Sequence, residues 1–285
     1  MKDNIKTLEF DQLPSSLCRI KRPPKRLYYQ GEFEIREKFI LGVVGTRKCT
    51  PYGKSACIKI LNEILEYDFL IVSGLAKGID ALAHITALKK HKRTFAILGT
   101  GVDFASIYPR ENVKLAKEII QNQGAIISEY PPKTKAQKFF FPERNRLIAG
   151  LADAILVIEA PQKSGALITA EYAFSFKKPV FTIPGSIYWK TFQGNHFLIK
   201  KGAHLIDSGR DILKVLKIPL KEKKVEALLN EEERLIIQAL QKGPLHIDKI
   251  IEITKLEANK VISLLSRLEL EGKIQNLGAN IYSLL

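Results

Sequence analysis

The 285-residue sequence predicts an α/β fold with a mainly parallel sheet, followed by a small C-terminal domain. Three observations predict it. From about 39 to 216, short apolar runs rich in β-branched residues alternate with longer segments of helical period. The runs are almost continuously apolar, the pattern of strands covered on both faces. Near 217–227 the text changes to Lys217-Ile218-Pro219-Leu220-Lys221-Glu222-Lys223-Lys224, which reads as a linker. The expected divisions are an N-terminal arm over 1–36, an α/β domain over 37–216, a linker over 217–227 and a small domain over 228–285.

Each element follows from local chemistry. Arg19 to Arg26 is basic and broken by Pro23-Pro24, so no long helix forms there. It reads as a lead-in arm, either an extra phosphate contact or a solvated linker. The strand runs are Phe39 to Val44, Phe69 to Val72, Thr94 to Leu98, Ala125 to Ile127, Ala154 to Ile158 and Val180 to Ile183. Helices are expected near 51–67, 78–90, 111–122, 143–151 and 166–177. Strand and helix in alternation make a Rossmann-like, doubly wound sheet. Beyond the linker, helices are expected near 231–241, 247–253 and 257–271. A hairpin from Ile274 to Leu284 turns at Gly278-Ala279-Asn280. Three helices and a hairpin make a winged-helix-like domain.

Composition narrows the function. Hydrophobic residues make up 46% and charged residues 26%, enough for a packed core and against wholesale disorder. There are 45 Lys and Arg against 30 Asp and Glu, a formal net charge of +15. Such a balance favours a polyanion partner, the alternative being a generally lysine-rich background. Residues 226–285 hold 7 of the bases and 9 of the acids, leaving 38 bases and 21 acids to the rest. The basic signal therefore belongs to the α/β part, and net acidity weighs against duplex reading by the small domain. Cys18, Cys49 and Cys57 form no C-x-x-C and no Cys/His cluster, which fits a reducing compartment without disulfides or zinc. The five histidines show no metal spacing, so no metal or cofactor is expected. Met1-Lys2-Asp3-Asn4 leads into no apolar signal region, and no apolar run is long enough to span a bilayer. A soluble, cytoplasmic protein with no membrane partner is expected.

The unusual residues cluster where strands end. These loops are Gly45-Thr46-Arg47-Lys48, Ser73-Gly74 running to Lys77, Gly99-Thr100-Gly101, Ser128-Glu129-Tyr130, and Glu159 to Lys163-Ser164-Gly165. Ligands of open α/β sheets bind at the carboxyl ends of the strands. Small residues and helix N-termini there suit an anion, and Arg47, Lys48, Lys77 and Lys163 add charge. Neither a dinucleotide fingerprint nor a Walker A motif is present. The segment Lys133 to Arg146 sets cations beside Phe139, Phe140 and Phe141, a composition suited to single-stranded nucleic acid. At least one of these rings is expected to close the core, with Phe140 taken as a binding residue. Arg144 and Arg146 diverge by about 200° on a helix. One faces the crevice and the other pairs with an acid, Glu159 or Glu171. Asp80 and His84, four apart, form either a base with its orienter or, more commonly, a local structural hydrogen bond.

Taken together, these motifs resemble the DNA processing protein A family (DprA, also called Smf). The resemblance runs through Val43-Val44-Gly45-Thr46-Arg47, Val72-Ser73-Gly74-Leu75-Ala76-Lys77-Gly78-Ile79-Asp80 and Phe141-Pro142-Glu143-Arg144-Asn145-Arg146. It continues through Ser164-Gly165-Ala166-Leu167-Ile168-Thr169-Ala170 and Pro184-Gly185, in order over about 170 residues. The resemblance implies a homodimeric, non-catalytic protein. Such a protein binds single-stranded DNA, protects it during natural transformation and loads the RecA recombinase. It implies a binding set of Gly45, Thr46, Arg47, Ser73, Gly74, Arg144, Asn145 and Arg146, completed by Lys163, Ser164 and Gly165. Arg47 is the central phosphate ligand in that set. The same superfamily includes nucleotide-cleaving phosphoribohydrolases, whose arginine–glutamate pair would fall on Arg144 and Glu171. Their glycine-rich signature is absent here.

Overall fold

A computed structural model describes residues 3–220, 230–241 and 243–284. The chain divides into two compact units, Met1–Leu220 and Lys221–Leu285.

The first unit is built on a nine-stranded sheet of order β1-β2-β6-β5-β4-β3-β7-β8-β9. Its strands are β1 (Lys6–Glu9), β2 (Arg26–Gly31), β3 (Phe39–Val44), β4 (Phe69–Ser73), β5 (Thr94–Leu98), β6 (Ala125–Ser128), β7 (Ala154–Val157), β8 (Val180–Thr182) and β9 (His204–Leu205). Strands β3 to β9 pair in parallel, while β1 and β2 are antiparallel. The helices are α1 (Ser15–Cys18), α2 (Pro51–Ile64), α3 (Ile79–Lys89), α4 (Val113–Gln121), α5 (Phe140–Leu151), α6 (Gly165–Ser175), α7 (Gln193–Lys200) and α8 (Gly209–Val215).

Alternation along β3 shows why both faces are covered. Ile40 and Val44 join a core with Leu147, Ile148 and Leu151 of α5. Leu41 and Val43 join another with Ile60, Leu61 and Ile64 of α2. From β3 the chain winds out through β4, β5 and β6, then returns to place β7 on the other side of β3. That reversal opens a crevice above the carboxyl ends of β3 and β7.

Local signals set the helix starts around it. The Thr50 side chain accepts from the Gly53 amide, and Pro51 occupies the first helical position of α2. Ser164 accepts from the Ala166 amide at the start of α6. The sequence places the start of α5 at 143, just after Pro142, but the helix begins at Phe140. Proline in the first turn lacks only an amide that has no intrahelical partner anyway.

One expectation is corrected. Residues 1–36 are not an arm, since β2 joins the main sheet through β6 and buries Leu27 and Gln30. The proline pair breaks helices there but leaves the following six residues able to extend. Helix α7, strand β9 and helix α8 lie between 184 and 216, a stretch without an expected element. Within the expected linker, residues 221–227 lie outside the described residues, and 217–220 belong to the first unit.

The second unit holds α9 (Glu231–Leu240), α10 (Ile247–Thr254) and α11 (Ala258–Leu270). Its strands β10 (Leu245–His246), β11 (Ile274–Asn276) and β12 (Ile281–Leu284) form a sheet of order β10-β12-β11. Ile236, Leu240, Ile250, Val261, Leu265 and Leu268 make its core. Asn230 and Glu233 form a reciprocal capping box at the start of α9. Three helices with a hairpin wing are the arrangement expected from the sequence.

Candidate functional site

The crevice has a volume of about 660 Å³. One wall is the loop after β3, Gly45 to Arg47, and the opposite wall is Pro161 with Ser164, Gly165 and Ala166. The two walls are fastened together by Glu159, which is fully buried. The Thr46 amide donates to the Glu159 carbonyl at 2.7 Å. The Thr50 amide and hydroxyl donate to Glu159 Oε2 at 2.9 and 3.0 Å. The loop carrying Arg47 is therefore held at both ends by one side chain and its own carbonyl. Glu159 serves the loop and pairs with neither arginine of α5.

The floor is Asp80, Arg144, Asn145 and Thr169. Arg144 is 5% exposed and donates to the carbonyls of Gly74, at 2.7 Å, and Ile97. Gly74 is required beside it: a Cβ there would lie 2.5 Å from the guanidinium and 2.6 Å from Asp80 Oδ2. Burial pushes the Arg144 guanidinium down to about 10, opposed chiefly by the charge of Asp80. Burial pushes the Asp80 carboxyl up, opposed by Arg144 and by the amides of Ala76, Gly74 and Gly45. These two charges compensate each other in the interior. Asn145 ties the floor to the wall, accepting from Arg144 Nε at 3.2 Å and donating to the Gly165 carbonyl at 3.1 Å.

Arg144 and Arg146 diverge as the helical spacing requires, and the acid is Glu129. Arg146 Nη2 donates to both carboxylate oxygens of Glu129, at 2.7 Å each, outside the crevice. Glu171 pairs with Lys201 instead and does not line the crevice. The arginine–glutamate pair of the nucleotide-cleaving reading is therefore not assembled. Asp80 and His84 do not bond each other either. His84 Nδ1 meets Thr94 Oγ1 at 2.7 Å, and that hydroxyl donates to the Ile71 carbonyl. The hydroxyl proton being committed, Nδ1–H donates and Nε2 is left bare, without a partner. Burial lowers the imidazole to about 3, with the Arg144 charge adding to it.

The rim is different in character. Arg47 is exposed, and its guanidinium lies 5.6 Å from the centre of the Phe141 ring. Tyr108 stands beside Phe141, ring centres 5.8 Å apart, and is 46% exposed. Lys138 lines the same mouth. Among the described residues, no ion pair joins Arg47, Lys48, Lys138 or Lys163 to an acid.

Of the sequence-derived residues, Gly45, Thr46, Arg47, Arg144, Asn145, Ser164 and Gly165 line the crevice. Gly74 and Lys77 border a small adjoining pocket that shares Arg47, and Lys77 pairs with Glu111 at 2.7 Å. Lys48 and Lys163 are exposed close by in sequence but do not line it. Ser73 is fully buried, and its hydroxyl donates to the Val43 carbonyl at 2.6 Å, joining β4 to β3. Phe140 packs on Tyr130 at 3.9 Å, outside the crevice. None of the three phenylalanines is buried: Phe139 is 61% exposed and the other two are half-buried. The sequence missed Tyr108, Lys138, Phe141 and Thr169. The basic-aromatic segment already held two of these, and Thr169 follows Gly165 by four, on one helix face.

The fold and crevice define an α/β protein with a candidate ligand site at its topological switch point, its floor charges compensated and its mouth basic. Two family models match the chain. DNA recombination-mediator protein A matches residues 4–217, and the DprA winged helix domain matches residues 221–280. The chain belongs to the DNA recombination-mediator protein A family. It is 38% identical to Protein Smf of Synechocystis over 301 residues, covering 92% of this chain and 75% of that protein. The crystal structure of DNA processing protein A from Streptococcus pneumoniae superposes with a TM-score of 0.69 at 38% identity, covering 74% of each chain. A DNA processing protein A from Helicobacter pylori, solved for its single-stranded DNA binding mode, gives 0.67 at 33% identity, covering 75% of this chain and 95% of that one. Among the described residues, no group of three or more His, Cys, Asp or Glu could hold a metal ion, and no helix is long and apolar enough to cross a membrane.

Proposed function

We propose that this protein binds single-stranded DNA in the crevice and acts as a recombination mediator without chemical turnover. The observation that carries the reading is the division of charge. The floor guanidinium already faces Asp80, while Arg47 and Lys138 at the mouth form no ion pair with an acid among the described residues. A phosphodiester chain supplies the missing anion, and its bases supply flat faces for Tyr108 and Phe141. A duplex hides those faces within its stack. The binding mode of the Helicobacter relative supports the same reading.

Arg47 is the central phosphate ligand in this account, with Gly45, Thr46, Ser164 and Gly165 presenting backbone and hydroxyl groups. Lys48, Lys77 and Lys163 add field around the mouth. Arg144 and Asn145 shape the floor. The protein works as a cytoplasmic homodimer that shields incoming single strands and loads RecA recombinase onto them during natural transformation. It needs no metal or cofactor.

The test uses fluorescence anisotropy with a labelled single strand of roughly 30 nucleotides and its duplex. Wild type binds the single strand preferentially, and Arg47→Ala loses about tenfold or more in affinity. RecA filament growth on a protein-coated single strand then accelerates with wild type and not with Arg47→Ala. Equal affinity for strand and duplex, or full affinity in Arg47→Ala, contradicts the proposal.

A further inference from the structure

The crevice over β3 and β7 leaves unexplained the next loop along the same sheet edge. After β8 the chain presents Ile187, Tyr188 and Trp189 at 76%, 87% and 45% exposure. Three large apolar side chains in succession on a surface call for an occupant. The loop is braced from beneath. Trp189 lies 5.7 Å from the ring of Phe192, which is fully buried, and 5.7 Å from the ring of Tyr52. The Tyr52 hydroxyl donates to the Pro184 carbonyl at 2.9 Å.

Two links make this surface continuous with the crevice. Tyr52 opens α2, directly after the loop that carries Arg47. The Gly194 amide, at the start of α7, donates to the Ala160 carbonyl at 2.8 Å, next to Pro161 of the crevice wall. Charge points the same way. Residues 39–62 and 172–206 contain no Asp or Glu, and Lys48 and Lys190 stand exposed within them.

We propose that the β8 loop is a second subsite for the same single strand. Bases leaving the crevice stack on Tyr188 and Trp189, and Lys48 and Lys190 meet the phosphates between them. Exposed rings on a loop whose own segment carries no acid suit a polyanion that carries flat apolar faces. The proposal rests on the crevice reading and extends it from one pocket to a track.

Trp189 is the only tryptophan in the chain, so the wild-type protein reports on its own loop. The full-length protein is titrated with oligothymidylates of roughly 5 and 20 nucleotides, following anisotropy and tryptophan emission together. The longer strand quenches Trp189 in step with the anisotropy, and the shorter one leaves it nearly unchanged. Tyr188→Ala weakens the longer strand about fivefold or more and leaves the shorter one unaffected. The inference is overturned if Arg47→Ala abolishes binding while Trp189 emission never responds and Tyr188→Ala binds like wild type. It is also overturned if Tyr188→Ala changes the sedimentation coefficient of the unliganded protein while the length dependence persists; the loop would then join two copies. Absence of strand binding by every form removes the crevice reading and this one with it.

Discussion

Arg144 and Arg47 share one crevice and live in opposite surroundings. Arg144 is 5% exposed, gives its protons to the carbonyls of Gly74 and Ile97, and has Asp80 as its countercharge. Arg47 is exposed, rests near Phe141 and meets no acid among the described residues. The difference separates two tasks. A buried charge with its partner holds the floor in shape, and removing one partner exposes the cost of burying the other. An exposed cation contributes little to stability and stays available for an external anion.

The largest break in this comparison is on the floor. Arg144→Met leaves Asp80 buried without its countercharge and lowers the urea-unfolding free energy by about 3–5 kcal/mol. The double variant Arg144→Met with Asp80→Leu recovers part of that loss. Equal losses in the single and double variants would show that the two charges do not compensate each other.

A smaller effect comes from crowding the same floor. Gly74→Ala drives a methyl group against the guanidinium and the Asp80 carboxylate, and costs on the order of 1–3 kcal/mol. Thermal unfolding reads it directly. An unchanged midpoint would mean that the floor relaxes freely.

His84, buried within reach of the Arg144 charge, gives the fold a pH dependence. Its folded value lies near 3 against an ordinary 6.5, because burial and the Arg144 charge disfavour the imidazolium. The unfolded chain takes up this proton first as pH falls. The contribution to stability is therefore complete above about pH 6.5 and is lost progressively toward pH 3. Between pH 7 and pH 5 the loss amounts to about 2 kcal/mol, and His84→Leu removes that part of the slope. An identical acid limb in the variant would place the titration elsewhere.

The smallest stability effect belongs to the rim. Arg47→Ala shifts the unfolding free energy by no more than about 0.5 kcal/mol, while weakening DNA binding as proposed above. A loss as large as that of Arg144→Met would erase the distinction between floor and rim.

The same contrast explains what could be read in the sequence. Strands β3 to β8 and helices α2 to α6 were legible because β-branched runs and helical periods are local signals. Loops rich in glycine and serine at strand ends marked the crevice for the same reason. The partner of Arg144 was not legible, since Asp80 lies 64 positions away and only the sheet brings them together. Ser73 has the residue type of a ligand contact but falls at the end of β4, where its hydroxyl ties two strands. Phe140 and Phe141 are neighbours in an equally aromatic segment, and only the orientation of α5 decides which ring enters the crevice. Strand β2 escaped because it is an antiparallel addition to a parallel sheet, without the continuous apolar run that marked the others.

The most direct test of the account is the salt dependence of single-strand affinity, compared between wild type and Arg47→Ala. On a short strand that fills the crevice alone, with Arg47, Lys48, Lys138 and Lys163 neutralising phosphates, the logarithm of affinity falls with the logarithm of salt at a slope of about −2.8. Arg47→Ala brings the slope to about −2.1 and leaves unfolding unchanged. A flat salt response in wild type, or the same slope in both proteins, would contradict a binding site built on the uncompensated rim.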